Sequence, residues 1–464
     1  MIQSKYLPAF TIIILLFVSC DFSEENINEE AITEATISEL FEPAIAQIAK
    51  NQSAISGRTA GILMQYFSEK DAQVLSFNSY NLGNSLMNTF WNSGLYTGSL
   101  RHANELQILA EKEGNTDLEA IAQILKVNEF LHATTLFGDI PFSEALVGSE
   151  QIFPTYDTQE FIYQELIAMT DEAIQIIGSN GVNNALADVD IVFRGDMSSW
   201  KKFANGLKAR LHLHLTTKDA GNYNQVLTSV ENSFLSINEQ PIYTWQQNNA
   251  VQNPLLAFAK ERPSAFFISD QFADGMINKN DPRKELLIFF DGDWDFQNDD
   301  SPLHWTSDNS SLPLLSFAEL RFMKAEALLQ TGGNDSGVLE ALREGIEASC
   351  AQIGLTPINY QDYIDTYANF NGLNTQEEKL ERIITEAYFS YYGYAFQQAW
   401  NNYKRLKLPD LTPTGSPNQF DPSGTVPVRL LYPQVELDLN TVKTNEAIDR
   451  QNGALLDEPL WVFK

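Results

Sequence analysis

The chain of 464 residues is 44% hydrophobic, and 61 acidic against 30 basic side chains give a formal charge of -31. So acidic a surface repels phosphate backbones and anionic headgroups, which argues against nucleic-acid binding and against polybasic docking on a membrane. The acids are dispersed along the chain, so solubility accounts for most of them.

The first element is a leader. Lys5 gives it a basic start, and Leu7 to Val18 form an apolar stretch far short of the roughly 20 residues that a membrane-spanning helix needs. Small Ser19 then precedes Cys20. Phe17-Val18-Ser19-Cys20 resembles a bacterial lipoprotein signal, in which cleavage leaves Cys20 as the lipid anchor. Each buried acyl methylene contributes roughly 0.8 kcal/mol, so several chains hold a soluble body to a bilayer. An ordinary secretory leader with an incidental cysteine is the alternative. Cleavage removes Lys5 and no acid, so the charge of -31 becomes one unit more negative. Cys350 is the only other cysteine, so acylation of Cys20 leaves no intramolecular disulfide and packing must stabilise the fold. Residues 1–19 therefore read as signal peptide and residues 20–32 as an acidic tether. The tether resembles the acidic signal that some outer-membrane lipoproteins carry for display on the cell exterior. No Pro/Gly/Ser-rich linker divides the rest, so 33–464 reads as a single domain.

Helical periodicity follows. Residues 117–137 place Ile121, Ile124, Leu125 and Leu131 on a wide apolar face, and Gly138 and Pro141 stop the helix. The pattern recurs over 157–177 (Phe161, Leu166, Ile167, Ile174), 197–216 (Trp200, Phe203, Leu207, Leu211) and 316–330, the last stopped by Gly332-Gly333. Residues 383–400 predict the most buried helix, with Gly393 admitting a close neighbour. Paired helices of this length bury their faces as solenoids do, although no strict repeat of roughly 34 residues is legible. Residues 238–315 and the stretch after Pro409 carry clustered Asn, Asp, Ser, Gly and Pro, which predicts loops.

Catalytic motifs are scarce. The sequence has no HExxH, P-loop, GxSxG elbow or paired-cysteine zinc pattern. His212 and His214 stand two apart on a helix, so their rings diverge. Glu319 and Glu326 share a helix face, where ion pairing to Arg321 or Lys324 is the expected role. Asp291 to Asp300 alternates carboxylates as an EF-hand loop begins, but Phe296 replaces the turn glycine and Pro302 the bidentate glutamate. A solvated acidic loop is the reading taken, with an irregular structural calcium site as the alternative and no other cofactor. Trp294, Phe296 and Trp305 stand in this polar segment where no helical face demands them. Tyr80 and Trp245 have the same character. Sugar rings offer apolar C–H faces to aromatics while Asp, Asn and Gln satisfy their hydroxyls, so all five are candidate ligand contacts. Stapling loops onto helices is their alternative role; Trp91 and Tyr96 are assigned to the core.

Several stretches, in order, point to one family. Gly138-Asp139-Ile140-Pro141-Phe142-Ser143-Glu144-Ala145-Leu146 resembles the "GDxPxxEAL" element of SusD/RagB nutrient-binding lipoproteins. Gly195-Asp196, with Trp200-Lys201-Lys202-Phe203-Ala204-Asn205, resembles that family's "GD…WKKFAN" helix, and Asp281-Pro282-Arg283 its "DPR". Phe317 to Ala327 is similar to "YAEVxFLxAEA", and Pro427 to Glu436, followed by Asn440, to the C-terminal "YPxxE…N". Where the family often has two arginines, this chain has Lys404-Arg405, which keeps the charge but loses one bidentate donor. The resemblance implies a mainly α, SusD-like fold with TPR-like helix pairs as scaffold and an irregular, loop-rich ligand-binding region. It also implies a lipoprotein of the outer membrane that captures an oligomeric nutrient, glycan first and peptide second, without catalysis. Its partner would be a SusC-like TonB-dependent transporter. A surface-anchored glycoside hydrolase and a helical-repeat protein-binding scaffold are the alternatives, and Asp139 is expected to bind backbone N–H groups.

Overall fold

The computed structural model describes residues 35–69, 75–179, 181–246, 252–262, 266–290, 294–295, 304–307 and 310–464. Cys20 and Phe296 lie outside them, as does the acidic run apart from the backbone of Trp294 and Asp295.

Antiparallel helix pairs build the scaffold. Leu100–Glu113 turns back into Thr116–Phe137 through Gly114, whose φ of +64° ends the first helix, and Asn115, whose side chain accepts from the Leu118 N–H at 3.2 Å. Gln159–Ile177 packs on Thr116–Phe137, Met197–His214 on Gln159–Ile177, and Asn222–Glu231 on Met197–His214. Phe317–Gln330 joins this stack and pairs with Asp335–Gln352 and Gln376–Tyr391. The fold is mainly α with TPR-like pairs, as the sequence predicts. Described strands form two-stranded antiparallel ribbons of two or three residues, such as Phe67–Glu69 with Phe266–Ile268. They pin loops without forming a sheet layer.

Thr116–Phe137 is the axis. From Ala120 to Phe137 only Lys126 escapes burial, so the helix is enclosed on all sides. Its polar residues must then find partners inside the protein, and the family-like motifs supply them. Asp139 accepts from the Gln159 N–H at 2.8 Å and from Arg450 Nε at 2.6 Å, closing the turn as expected. Arg429 donates to the Phe137 carbonyl at 2.8 Å, and Lys404 to that of Thr135 at 2.6 Å with its ammonium 4.0 Å from the Trp400 ring centre. Trp200 is fully buried and donates from Nε1 to Asp190 at 2.8 Å.

Three expectations are corrected. Glu319 and Glu326 do not pair within their own helix. Arg210 grips Glu319 through two nitrogens at 2.8 and 2.9 Å, and Arg405 forks onto Glu326. A fork from another helix matches carboxylate geometry better than a neighbour on the same face. Arg321 reaches Glu344 instead, at 3.4 Å. The single helix predicted over 383–400 is two helices, Gln376–Tyr391 and Phe396–Leu406. Gly393, at φ +94°, turns the chain between them, and the Trp305 indole occupies the space where a Cβ would stand. The middle of the chain, predicted as loop, contains Pro254–Glu261 and Asp270–Asn278; Asn253 and Ser269 cap them. These short helices were obscured by the Asn, Ser and Pro residues that cap them.

Candidate binding clefts

The segment Phe90–Ser99 is wound more widely than an α-helix and kinks at Gly98 before Leu100–Glu113. Such π-type turns recur at functional sites. Here the widening follows from contact with Ile37–Ser53: a Cβ on Gly94 would stand 2.6 Å from Asn51 Oδ1, and Asn51 Nδ2 donates to the Gly94 carbonyl at 3.0 Å. The missing Cβ lets the Asn51 side chain lie against the backbone of the widened segment.

Two open clefts border this segment. The larger, about 640 Å³, has three walls. The first two helices contribute Lys50, Asn51, Ile55 and Arg58; the widened segment contributes Thr89, Phe90 and Ser93; Gln252, Phe258 and Glu261 close it from the Pro254–Glu261 side. The Arg58 guanidinium lies 3.6 Å from the Phe258 ring centre and that of Arg262 lies 4.8 Å away, fixing the ring at the rim. The second cleft, about 540 Å³, lies between Tyr96, Arg101 and Asn104 on one side and Glu144, Leu146 and Ile152 on the other. The Tyr96 hydroxyl donates to the Pro141 carbonyl at 2.7 Å, tying its two sides together.

The larger cleft mixes amides and hydroxyls with Ile55 and Phe258. That combination offers hydrogen bonds to a polyhydroxylated molecule and apolar surface to its C–H faces. Glu261 is the one carboxylate among the described residues that line the cleft, so it offers no pair of carboxylates, and among the described residues no His/Cys/Asp/Glu cluster could hold a metal ion. The buried histidines are occupied elsewhere: His214 meets the Tyr163 hydroxyl at 2.9 Å and His212 meets Asn222 at 2.8 Å.

The three described aromatics among those predicted as ligand contacts do not line this cleft. Tyr80 is fully buried, and its hydroxyl accepts from the Thr414 N–H at 3.1 Å, so it staples a turn to the 411–421 segment. Trp245 is 2% exposed and packs edge-on against Tyr243 at 4.9 Å. Trp305 is 5% exposed, its ring seated over Gly393 and against Tyr394 at 5.2 Å. All three are corrected to structural roles, because their ring faces are covered by protein. Trp305 still reaches the cleft indirectly: its carbonyl accepts from Asn253 Nδ2 at 2.7 Å, and Asn253 caps the helix that carries Phe258. The Trp294 backbone pairs with Phe290 in a short ribbon, while its side chain, like Phe296, lies outside the described residues. Asn51, Arg58 and Phe258 were missed by sequence reasoning, since nothing local distinguishes them from ordinary helix residues.

A family model described as "Starch-binding associating with outer membrane", SusD-like, matches residues 29–433. A SusD/RagB family protein from Bacteroides thetaiotaomicron superposes with a TM-score of 0.75 at 22% identity, over 93% of this chain and 99% of that one. A SusD homolog from Bacteroides uniformis gives 0.77 at 21%, over 92% and 99%. A chitin-binding SusD homolog from Flavobacterium johnsoniae gives 0.74 at 20%, over 92% and 98%. No curated protein matches the chain.

Proposed function

The chain belongs to the SusD-like family, and from that premise we propose that it is a non-catalytic, lipid-anchored protein of the outer-membrane surface that captures an oligomeric glycan. On this reading Cys20 carries the lipid, and the captured oligomer passes to a SusC-like TonB-dependent transporter. The observation that carries the glycan reading is the larger cleft, which is lined both by polar residues such as Gln47, Thr89 and Ser93 and by apolar Ile55 and Phe258. A sugar ring needs both surfaces at once. The chitin-binding relative makes chito-oligosaccharides a first choice of ligand and the family description makes malto-oligosaccharides a second. Trp294 and Phe296 remain proposed ligand contacts.

Calorimetric titration with both oligosaccharide series tests this. Binding should weaken at least about tenfold in Phe258→Ala and in Arg58→Ala, the loss of a stacked or charged contact, and no new reducing ends should form. Turnover would replace the capture reading with a hydrolase. Unchanged affinity in both variants would move the site elsewhere, with Trp294→Ala as the next variant to titrate. Mass spectrometry of the mature protein should find an acylated Cys20.

A further inference from the structure

We propose that Glu129 is the positioning residue of the larger cleft: it never meets a ligand, but it fixes the Asn51 amide and the Gly94 carbonyl in the cleft floor. The inference rests on the cleft being the binding site and deepens that reading.

Glu129 is fully buried on the central helix. Its Oε2 accepts from Asn51 Nδ2 and from Ser99 Oγ, both at 2.5 Å, and its Oε1 accepts from Asn128 Nδ2 at 3.4 Å. Asn51 and Ser99 also approach the Gly94 carbonyl, at 3.0 and 3.2 Å. Two amide hydrogens and one hydroxyl hydrogen therefore face the Glu129 carboxyl, the Gly94 carbonyl and the Ser99 oxygen, which stands 3.1 Å from Asn51 Nδ2. They are all used when Glu129 takes one from each side chain and the Gly94 carbonyl takes the remaining amide hydrogen. That count fixes which way the Asn51 amide points. Its Nδ2 turns inward to the acid, and its Oδ1 turns to Gln47, which donates to it at 2.9 Å and also lines the cleft. Gly94 has no Cβ to obstruct this Oδ1.

The groups on Glu129 are neutral. Asn51 comes from Ile37–Ser53, Ser99 from the widened segment and Asn128 from its own helix. The nearest titratable side chains on that helix bond elsewhere, Lys126 to Asn104 and Gln107, and His132 to Ser56. A buried carboxyl without a cation is expensive to ionise, and burial pushes Glu129 up to about 7 against the pull of its three hydrogen bonds. Solubility and ion pairing thus do not account for Glu129, whereas the reach of its oxygens from the central helix to Asn51 does.

The test separates reach from charge. Glu129→Gln keeps an oxygen where Oε2 stands and loses the titratable carboxyl; Glu129→Asp keeps the carboxyl and withdraws its oxygens by about 1.5 Å, one C–C bond. Crystal structures of both variants should show Asn51 unmoved in Glu129→Gln and re-oriented in Glu129→Asp. Titration with chitohexaose and maltohexaose should give affinity within about threefold of wild type for the glutamine variant. The aspartate variant should lose at least about tenfold, the effect of about one hydrogen bond. An Asn51 that stays in place in Glu129→Asp, or a folded Glu129→Asp that binds as wild type does, overturns the positioning role. If wild type binds neither hexaose while Asn51 moves in Glu129→Asp, the cleft reading falls and the positioning of Asn51 stands.

Discussion

Asp281 and Arg283 show how individual side chains hold this fold. Both are buried, joined at 2.8 and 2.5 Å, and the remaining guanidinium nitrogen reaches Ser349 at 2.8 Å and Ser390 at 2.7 Å. Breaking such a pair from one side strands a charge in the interior, so Arg283→Ala should cost about 3–5 kcal/mol, read as a lower urea midpoint. Tyr80→Phe should cost only about 1 kcal/mol by the same measure and leave glycan affinity unchanged, because the hydroxyl serves the Thr414 backbone. The motif residues were legible as structural: Asp139 was expected to bind backbone N–H groups and does. The loop aromatics were not. A tryptophan in a polar stretch looks exposed until its seat is found, and the seat of Trp305 is Gly393, far away in sequence.

At the scale of elements, periodicity located the helices well where the apolar face is continuous: 117–137 was expected and Thr116–Phe137 is found. It failed where one apolar run spans two elements. From Ile383 to Trp400 apolar and aromatic side chains predominate on both sides of Gly393, so the turn there left no trace in the pattern. Gly393→Ala should therefore be costly twice over. The positive φ adds about 1–2 kcal/mol of strain, and the new methyl displaces the Trp305 indole. Thermal unfolding should drop, with a red shift in tryptophan emission as the ring gains water. Thr375 and Glu378 close a capping box at the start of Gln376–Tyr391, the helix that leads into this turn, so Thr375→Ala should cost about 1 kcal/mol without any spectral change.

For the whole molecule, stability should respond to pH in two opposed ways. Burial lowers His132 to about 3 and His304 to about 4, and pushes His214 down as well. In the unfolded chain these rings take up protons near pH 6.5. The unfolded state thus binds more protons below that point, and their contribution, complete above about pH 6.5, is lost as pH falls toward 4 and then 3. Glu129 works the other way. Its carboxyl, raised to about 7, is protonated in the fold and ionised in the unfolded chain from about pH 4.5 upward, so its contribution is lost as pH rises from 4.5 through 7. Melting temperatures across pH 4–9 should fall on the acid side less steeply in His132→Gln, and on the neutral side less steeply in Glu129→Gln. The architecture was readable from ordered motifs, but the cleft was not. Its walls come from residues 47–58, 86–94 and 252–261, and only the tertiary fold makes them neighbours.

The seating of Trp305 has an evolutionary corollary. The stretch that begins after Asp295 leaves from a ribbon closed by Phe290 and Trp294 and returns at His304-Trp305, where one ring is wedged over a glycine and one carbonyl is clamped by Asn253. Both fastenings join described residues on either side of that span to the helical frame. Sequence can therefore be lengthened, shortened or exchanged across that span while the Phe258 helix stays put, as tool bits are exchanged in a fixed chuck. Grafting the corresponding span of a relative between Asp295 and His304 should change ligand preference with no loss in melting temperature.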